Sequence, residues 1–245
     1  METILFIILI VFCCSLINST FGFGFAMVSM PILSLYFSLE IIGPLIPLLF
    51  IAGSTIIVVR GRKEIQYKSI ISLVISASLF VPIGVYLSKY ADESLIKIIL
   101  GSFIIIFSIY NLITPKIPYI KNDRYAAIFG ALSGLFGGAY NISGPPVVIY
   151  GSLRQWSPPT FRVTLQFYFW LLTILIICSH VYMNSYQNSK IGYYFLYAFP
   201  AMIIAVPIGK KINSFITNPS AFNKYVYILM LISGFLLIFK ALGYI

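Results

Sequence analysis

The sequence reads as an all-α polytopic membrane protein made of two related halves, each opening on a broken or re-entrant segment. Three features carry that reading. The first is composition: 60% of the 245 residues are apolar and 9% are charged. A soluble domain carries roughly 25% charged residues, so this chain could not cover its own surface in water. The second is a series of apolar runs close to the roughly 20 residues that a helix needs to cross the hydrocarbon core. The third is a set of motifs recurring in the same order in both halves. Together they exclude disorder, a nucleic-acid-binding module and a disulfide-stapled secreted domain. The net charge of +10 would suggest a nucleic-acid partner in a soluble protein. Here the basic residues lie between apolar runs, where they act as topology signals.

The first apolar stretch, residues 3–38, is too long for one simple span at about 1.5 Å per residue. Only Glu2 precedes Thr3 apart from the initial Met1. With no basic n-region, the stretch is expected to belong to the mature protein. Its middle reads Phe21-Gly22-Phe23-Gly24-Phe25-Ala26, followed by Ser29-Met30-Pro31. Three clear runs follow, at 41–59, 69–88 and 95–114. Residues 125–153 resemble the opening stretch in kind, with Gly134, Gly137, Gly138 and then Asn141-Ile142-Ser143-Gly144-Pro145-Pro146. Runs at 163–183, 191–209 and 224–243 complete the chain. Proline removes a backbone donor and clashes one turn back, so Pro31, Pro145 and Pro146 are expected to break helices. Each interrupted stretch then becomes two shorter helices joined by irregular backbone at membrane depth.

A shift of 114 residues superposes Ser19 on Ser133, Gly24 on Gly138, Ser29 on Ser143 and Pro31 on Pro145. Val81-Pro82-Ile83-Gly84 recurs as Val206-Pro207-Ile208-Gly209. These matches predict an N-terminal transmembrane repeat over 1–120 and a C-terminal one over 121–245, forming one integral membrane domain. The basic loops at 60–68 and 116–124 are both expected on the cytoplasmic side. If 125–153 turns back, Arg154, Arg162, Lys210 and Lys211 join them; if it crosses once, all four lie outside. The charge rule favours turning back, which inverts the second half relative to the first.

Irregular backbone inside a bilayer persists only where protein buries it or where it lines a cavity. Paired broken helices in two repeats point to a transport site. Freed N–H groups at half-helix N-termini near Ala26 and Gly144 attract anions, because the helix dipole places partial positive charge there. The expected substrate-contacting residues are Asn18, Ser19, Gly22, Gly24, Ser29, Ser133, Gly138, Asn141, Ser143 and Gly144, with Arg162 and Gln166 one turn apart on the following helix. Thr20 adds a further hydroxyl. Close helix packing through Gly and Ser is the alternative role for the same residues.

These residues also carry a resemblance. Gly22-Phe-Gly-Phe-Ala-Met-Val-Ser-Met-Pro31-Ile-Leu33 resembles the first-repeat glycine motif of the sulfite exporter TauE/SafE family, the TSUP group. Gly137-Gly-Ala-Tyr-Asn-Ile-Ser-Gly-Pro-Pro146 is similar to its second-repeat motif, and Phe161-Arg162-Val163-Thr164 to the Arg-containing start of the next helix. The resemblance runs over nearly the whole chain. It implies eight nominal transmembrane segments in two four-segment repeats, and transport of small, often sulfur-containing anions such as sulfite, sulfonates or sulfoacetate. Phe25, Ala26, Asn141 and Ser143 stand where the family motifs carry glycine, which bears on the substrate more than on the fold.

No Asp or Glu lies centrally in a span, no hydrolytic or Walker motif occurs, and no metal-ligand spacing is present. The expectation is a non-enzyme with no catalytic residue, cofactor or metal. His180, the one histidine, sits near a helix end and suits a packed or interfacial role. Cys13, Cys14 and Cys178 suit packing. Arg154 and Arg162 suit cytoplasmic anchors or an anion funnel at the pore mouth. The functional expectation is a multi-pass cell-membrane secondary transporter of small anions, with a passive anion channel as the alternative and a non-transporting membrane enzyme or assembly partner as a third class. Its partners are the anionic substrate and the bilayer, with room for a coupling ion and a homo-oligomer, and none is nucleic acid.

Overall fold

The computed structural model describes residues 2–62, 65–90, 92–113, 125–154, 158–215 and 219–243. The described residues form ten α-helices and one short 3-10 turn, Ser185–Gln187. Both interrupted stretches are pairs of helices. In the first, α1 (Glu2–Phe21) leads into α2 (Phe25–Ser34). In the second, α6 (Ala126–Tyr140) leads into α7 (Gly144–Leu153). The remaining helices are α3 (Leu39–Gly61), α4 (Tyr67–Tyr90), α5 (Glu93–Ile113), α8 (Pro158–Tyr182), α9 (Ser189–Phe215) and α10 (Pro219–Ala241). Five helices (α1, α3, α4, α8 and α9) are long and apolar enough to cross a membrane.

The interruptions come from backbone conformation more than from proline. Gly22 and Gly24 take φ of 84° and 106°, a left-handed region that side-chain-bearing residues rarely enter. Asn141 takes φ 58° at the end of α6, and Asn is the residue type that tolerates this best after glycine. Pro31 does not break a helix, contrary to the sequence expectation. It lies inside α2, which runs on to Ser34. A proline within a short helix loses one internal bond, and a buried helix absorbs that loss more readily than a change of chain direction. Pro145 and Pro146 stand in the first turn of α7, where the missing N–H would have had no partner in any case. Nor is α1 a short half-helix. Nothing in its 20 residues disfavours helix before Gly22, so it continues to a full span's length.

Both helix pairs turn back on themselves. Phe6, near the start of α1, meets Tyr36, just past the end of α2, with ring centroids 4.6 Å apart. Phe129 near the start of α6 meets Tyr150 near the end of α7 at 5.8 Å. α3 and α8 pack against each other at the centre and are the most buried of the long apolar helices. They run antiparallel: the Trp170 Nε1–H donates to Thr55 Oγ1 at 2.8 Å, while Gly43 at the other end faces His180. α1 lies along α9, α4 along α6, and α5 along α10.

Glycines set the closest of these approaches. On α6, a Cβ at Gly130, Gly134 or Gly138 would come within 2.5 Å of a backbone oxygen of α4: Leu73, Ala77 and Val81 in turn. Spacing of four places all three on one helix face. Gly101 of α5 and Gly234 of α10 face each other's carbonyl oxygens in the same way. The outer surface is apolar, with Ile71, Ile75 and Leu79 of α4 and Leu196 and Ile204 of α9 exposed. The interior holds Asn18, Ser29, Ser133, Thr164, Gln166 and His180. An apolar exterior, with the buried polar side chains set within an otherwise apolar core, suits a chain whose solvent is lipid.

Candidate functional site

The two interruptions converge. One cavity is lined by Asn18 and the 24–27 segment from the first, and by Asn141, Ser143 and Gly144 from the second. The central helices close its sides, α3 through Ile46, Pro47 and Phe50 and α8 through Phe169, Thr173 and Ile176. It holds about 40 Å³ of water-accessible space, room for about three waters or a small ion. Among the described residues that line it there is no lysine, arginine, aspartate or glutamate.

Its polarity comes from side-chain amides and hydroxyls and from helix ends. The first internal bond at the start of α2 runs from Val28 N–H to Gly24 O at 3.1 Å. The N–H groups of Phe25, Ala26 and Met27 therefore have no partner within their helix. Two of the corresponding groups at the start of α7 do not exist, because Pro145 and Pro146 lack them. The α2 end is thus the richer source of backbone donors, and the α2 and α7 dipoles both place partial positive charge at the cavity.

Each interruption is tied to the central helix of the other half. Pro47 has no N–H to give to Gly43 O, which would otherwise be its helix partner. Asn141 supplies the missing donor, its Nδ2 reaching Gly43 O at 2.8 Å. The Asn141 Oδ1 has no hydrogen-bond partner and remains an open acceptor beside the cavity. On the other side, Gln166 Nε2 of α8 donates to Asn18 Oδ1 at 3.0 Å and to Gly22 O. That amide fastens the left-handed turn of the first interruption to α8. Gln166→Leu leaves both acceptors buried and bare, so it should lower stability by about 1–3 kcal/mol. A fall in the melting temperature of the detergent-solubilised protein measures this, and an unchanged melting curve would dissociate Gln166 from the turn.

The other expected residues divide by the face they occupy. Ser133 Oγ donates to Ser143 O at 2.6 Å and accepts from Tyr168 Oη–H at 2.8 Å, so it braces the second interruption from behind. Ser19 faces α9, its Oγ donating to Leu16 O at 3.2 Å and to Ala205 O at 3.5 Å. Thr20 bonds Gly209 O in the same interface. The open side of Gly138 faces the α4 backbone. Ser29 is fully buried with no partner for its hydroxyl and is not among the cavity-lining residues. Arg162 is part of α8, and its side chain lies outside the described residues.

The α3 wall was not anticipated, and α8 was anticipated only through Arg162 and Gln166, not through the residues that line the cavity. Thr173 had a legible signal, since it lies seven residues after Gln166, two helical turns along the same face. Met27, Ile46, Phe50, Phe169 and Ile176 had none, being apolar residues in apolar runs. No curated protein and no solved structure matches the chain. A family sequence model does match, over residues 7–237, taking in both interruptions, both central helices and the cavity between them, and by that match the chain belongs to the sulfite exporter TauE/SafE family of membrane transporters.

Proposed function

We propose that this protein is a secondary transporter that carries small sulfur-containing anions, sulfite or a sulfonate among them, across the cell membrane. The observation that carries the reading is the convergence of both interruptions on one cavity, lined by helix N-termini, whose described lining carries no charged side chain. A dipole-lined site stabilises negative charge where the dielectric is low. It does so without a fixed cation that would hold the anion too tightly for turnover. Asn141 and Ser143 are the side chains proposed to distinguish one anion from another.

The same proposal includes two inverted repeats, over 1–120 and 121–245, with eight nominal segments if each turned-back pair counts as one. The packing supports it, because exchanging α1–α5 for α6–α10 maps the most extensive helix contacts onto one another, although α2 packs on α10 with no α7–α5 contact of matching extent among the described residues. α1 on α9 becomes α6 on α4, while α3 on α8 and α5 on α10 map onto themselves. Gly84 packs on α6 as Gly209 packs on α1. With both pairs turned back, Arg60, Arg62, Arg154, Lys210, Lys211 and Lys224 fall at one end of the bundle, the proposed cytoplasmic side. Glu40 and Asp92 fall at the other, together with Lys89, Lys97, Lys190 and Lys240. Single cysteines at Lys211 and Asn188, in a background lacking Cys13, Cys14 and Cys178, report this directly. Membrane-impermeant reagent should label position 188 from outside and position 211 only after permeabilisation.

Alternating access would come from one repeat rocking against the other. A passive anion channel is the competing class. Proteoliposomes loaded with sulfite separate the two, since a carrier takes up labelled sulfite faster when unlabelled sulfite is present on the far side. Uptake indifferent to internal sulfite would overturn the carrier mechanism.

A further inference from the structure

A second cavity, of about 220 Å³, lies toward the end of the bundle opposite the basic cluster. Glu40 and Pro44 of α3, Ser88 and Lys89 of α4 and His180 of α8 form its walls, and the 184–188 segment covers it. Three observations make it more than a surface hollow. His180 is 3% exposed, and neither ring nitrogen has a hydrogen-bond partner among the described residues. Both nitrogens are shielded from the cavity as the ring stands; a buried polar group without a partner is costly, so the ring gains by turning a nitrogen toward a ligand that enters. Lys89 brings a cation to the same wall, its Nζ steadied by Met183 O at 2.5 Å. Finally, His180 sits directly behind the central site. A Cβ on Gly43 would lie 3.7 Å from His180 Cε1, and the Gly43 carbonyl accepts the amide of Asn141. α3 lines both cavities, through Ile46 and Pro47 on the central one and through Glu40 and Pro44 on the outer one.

We propose that this outer cavity is a second anion station, which holds a hydrated small oxyanion between the His180 imidazole and the Lys89 ammonium. The volume exceeds that of one oxyanion, so water completes the shell, and the amides and hydroxyls of the 184–188 segment supply further donors. Glu40 shares the lining and is exposed. An oxyanion that keeps one proton can donate to that carboxylate while accepting from His180 and Lys89, so the singly protonated form suits the cavity better than the fully ionised one. The role of this station as a waypoint to and from the membrane midplane rests on reading the central cavity as the transport site. Its binding of an anion does not.

Because His180 is the one histidine in the chain, a preparation purified on a tag without histidine gives a single imidazole NMR signal after ¹³C-histidine labelling. Sodium sulfite titrated into the full-length protein should move that signal saturably, with sodium chloride at matched ionic strength as the reference. Lys89→Gln, at an exposed position, should raise the midpoint at least about tenfold. An unmoved signal, or the same midpoint in Lys89→Gln, overturns the proposal. The signal should still move in Gly144→Leu, where the central cavity is filled, and its loss there would reassign the effect to the central site and overturn the second station. Sulfite transport by Gly144→Leu at the wild-type rate would instead overturn the central site alone.

Discussion

Gly134→Val will leave no correctly folded protein to purify. A Cβ at this position would stand 2.3 Å from Ala77 O and 2.8 Å from Ala77 Cα. Both are backbone atoms of the neighbouring helix, so no side-chain rotation relieves the clash. α4 and α6 would have to separate along their length, and the flanking Gly130 and Gly138 make the same kind of contact, with Leu73 O at 2.5 Å and Val81 O at 2.2 Å. Overpacking within a tight core costs about 1–3 kcal/mol and occasionally more, and a β-branched residue driven against backbone that no rotamer can avoid exceeds that range. That is a large part of the about 5–15 kcal/mol by which folded proteins are usually stable. Size-exclusion chromatography of a fluorescent fusion in detergent should show aggregate in place of the monodisperse peak. Gly192→Val is the matched control, because nothing lies within 4 Å of a Cβ there. A monodisperse Gly134→Val would mean that α4 and α6 do not meet through this stripe.

Gly144→Leu will fold and will not transport. The nearest atoms to a Cβ at Gly144 are the Met27 Sδ at 2.9 Å and Cγ at 3.7 Å, then the Phe169 ring at 3.9 Å. Met27 is flexible and unbranched and can withdraw, so the contact differs in kind from those along α6. What the leucine then occupies is the cavity itself, between the start of α2 and the start of α7. The anion loses both its space and its approach to the backbone donors of Phe25, Ala26 and Met27. Sulfite exchange in proteoliposomes should fall at least about a hundredfold, equivalent to about 2.7 kcal/mol, while the chromatographic profile stays monodisperse. Gly144→Ala should retain much of the activity, since Met27 alone must yield. Exchange at the wild-type rate in Gly144→Leu would remove the central cavity from the transport path.

Much of this protein was legible in the chain. The apolar runs marked their helices to within a few residues, because a helix in lipid satisfies its own backbone hydrogen bonds and needs only enough apolar length. The interruptions at Gly22–Gly24 and Asn141–Ser143 were legible too, from the glycines and the proline pair around them; the left-handed turn at Asn141 was not. Asn141, Ser143, Gly144, Asn18 and Gly24 do line one cavity. Pro31 misled, because proline breaks helices in water far more reliably than within a buried short helix.

The sequence by itself determined the membrane class, the positions of the helices and the two places where they are interrupted. All three follow from local chemistry: apolar length, backbone dihedral preference and the missing N–H of proline. The tertiary structure alone decided that the first interrupted stretch turns back as well as the second, which residues of α3 and α8 wall the cavity, and that Gly138 and Ser19 face neighbouring helices while Gly144 faces the cavity. In a soluble protein, the apolar stripe of a helix would have shown which face is buried. Here lipid is as apolar as the interior, so hydrophobicity does not distinguish the two faces of a spanning helix. Which glycine meets a backbone and which meets a cavity is settled by shape and by a few buried amides such as Gln166 and Asn141, whose partners lie 144 to 148 and 98 residues away in sequence.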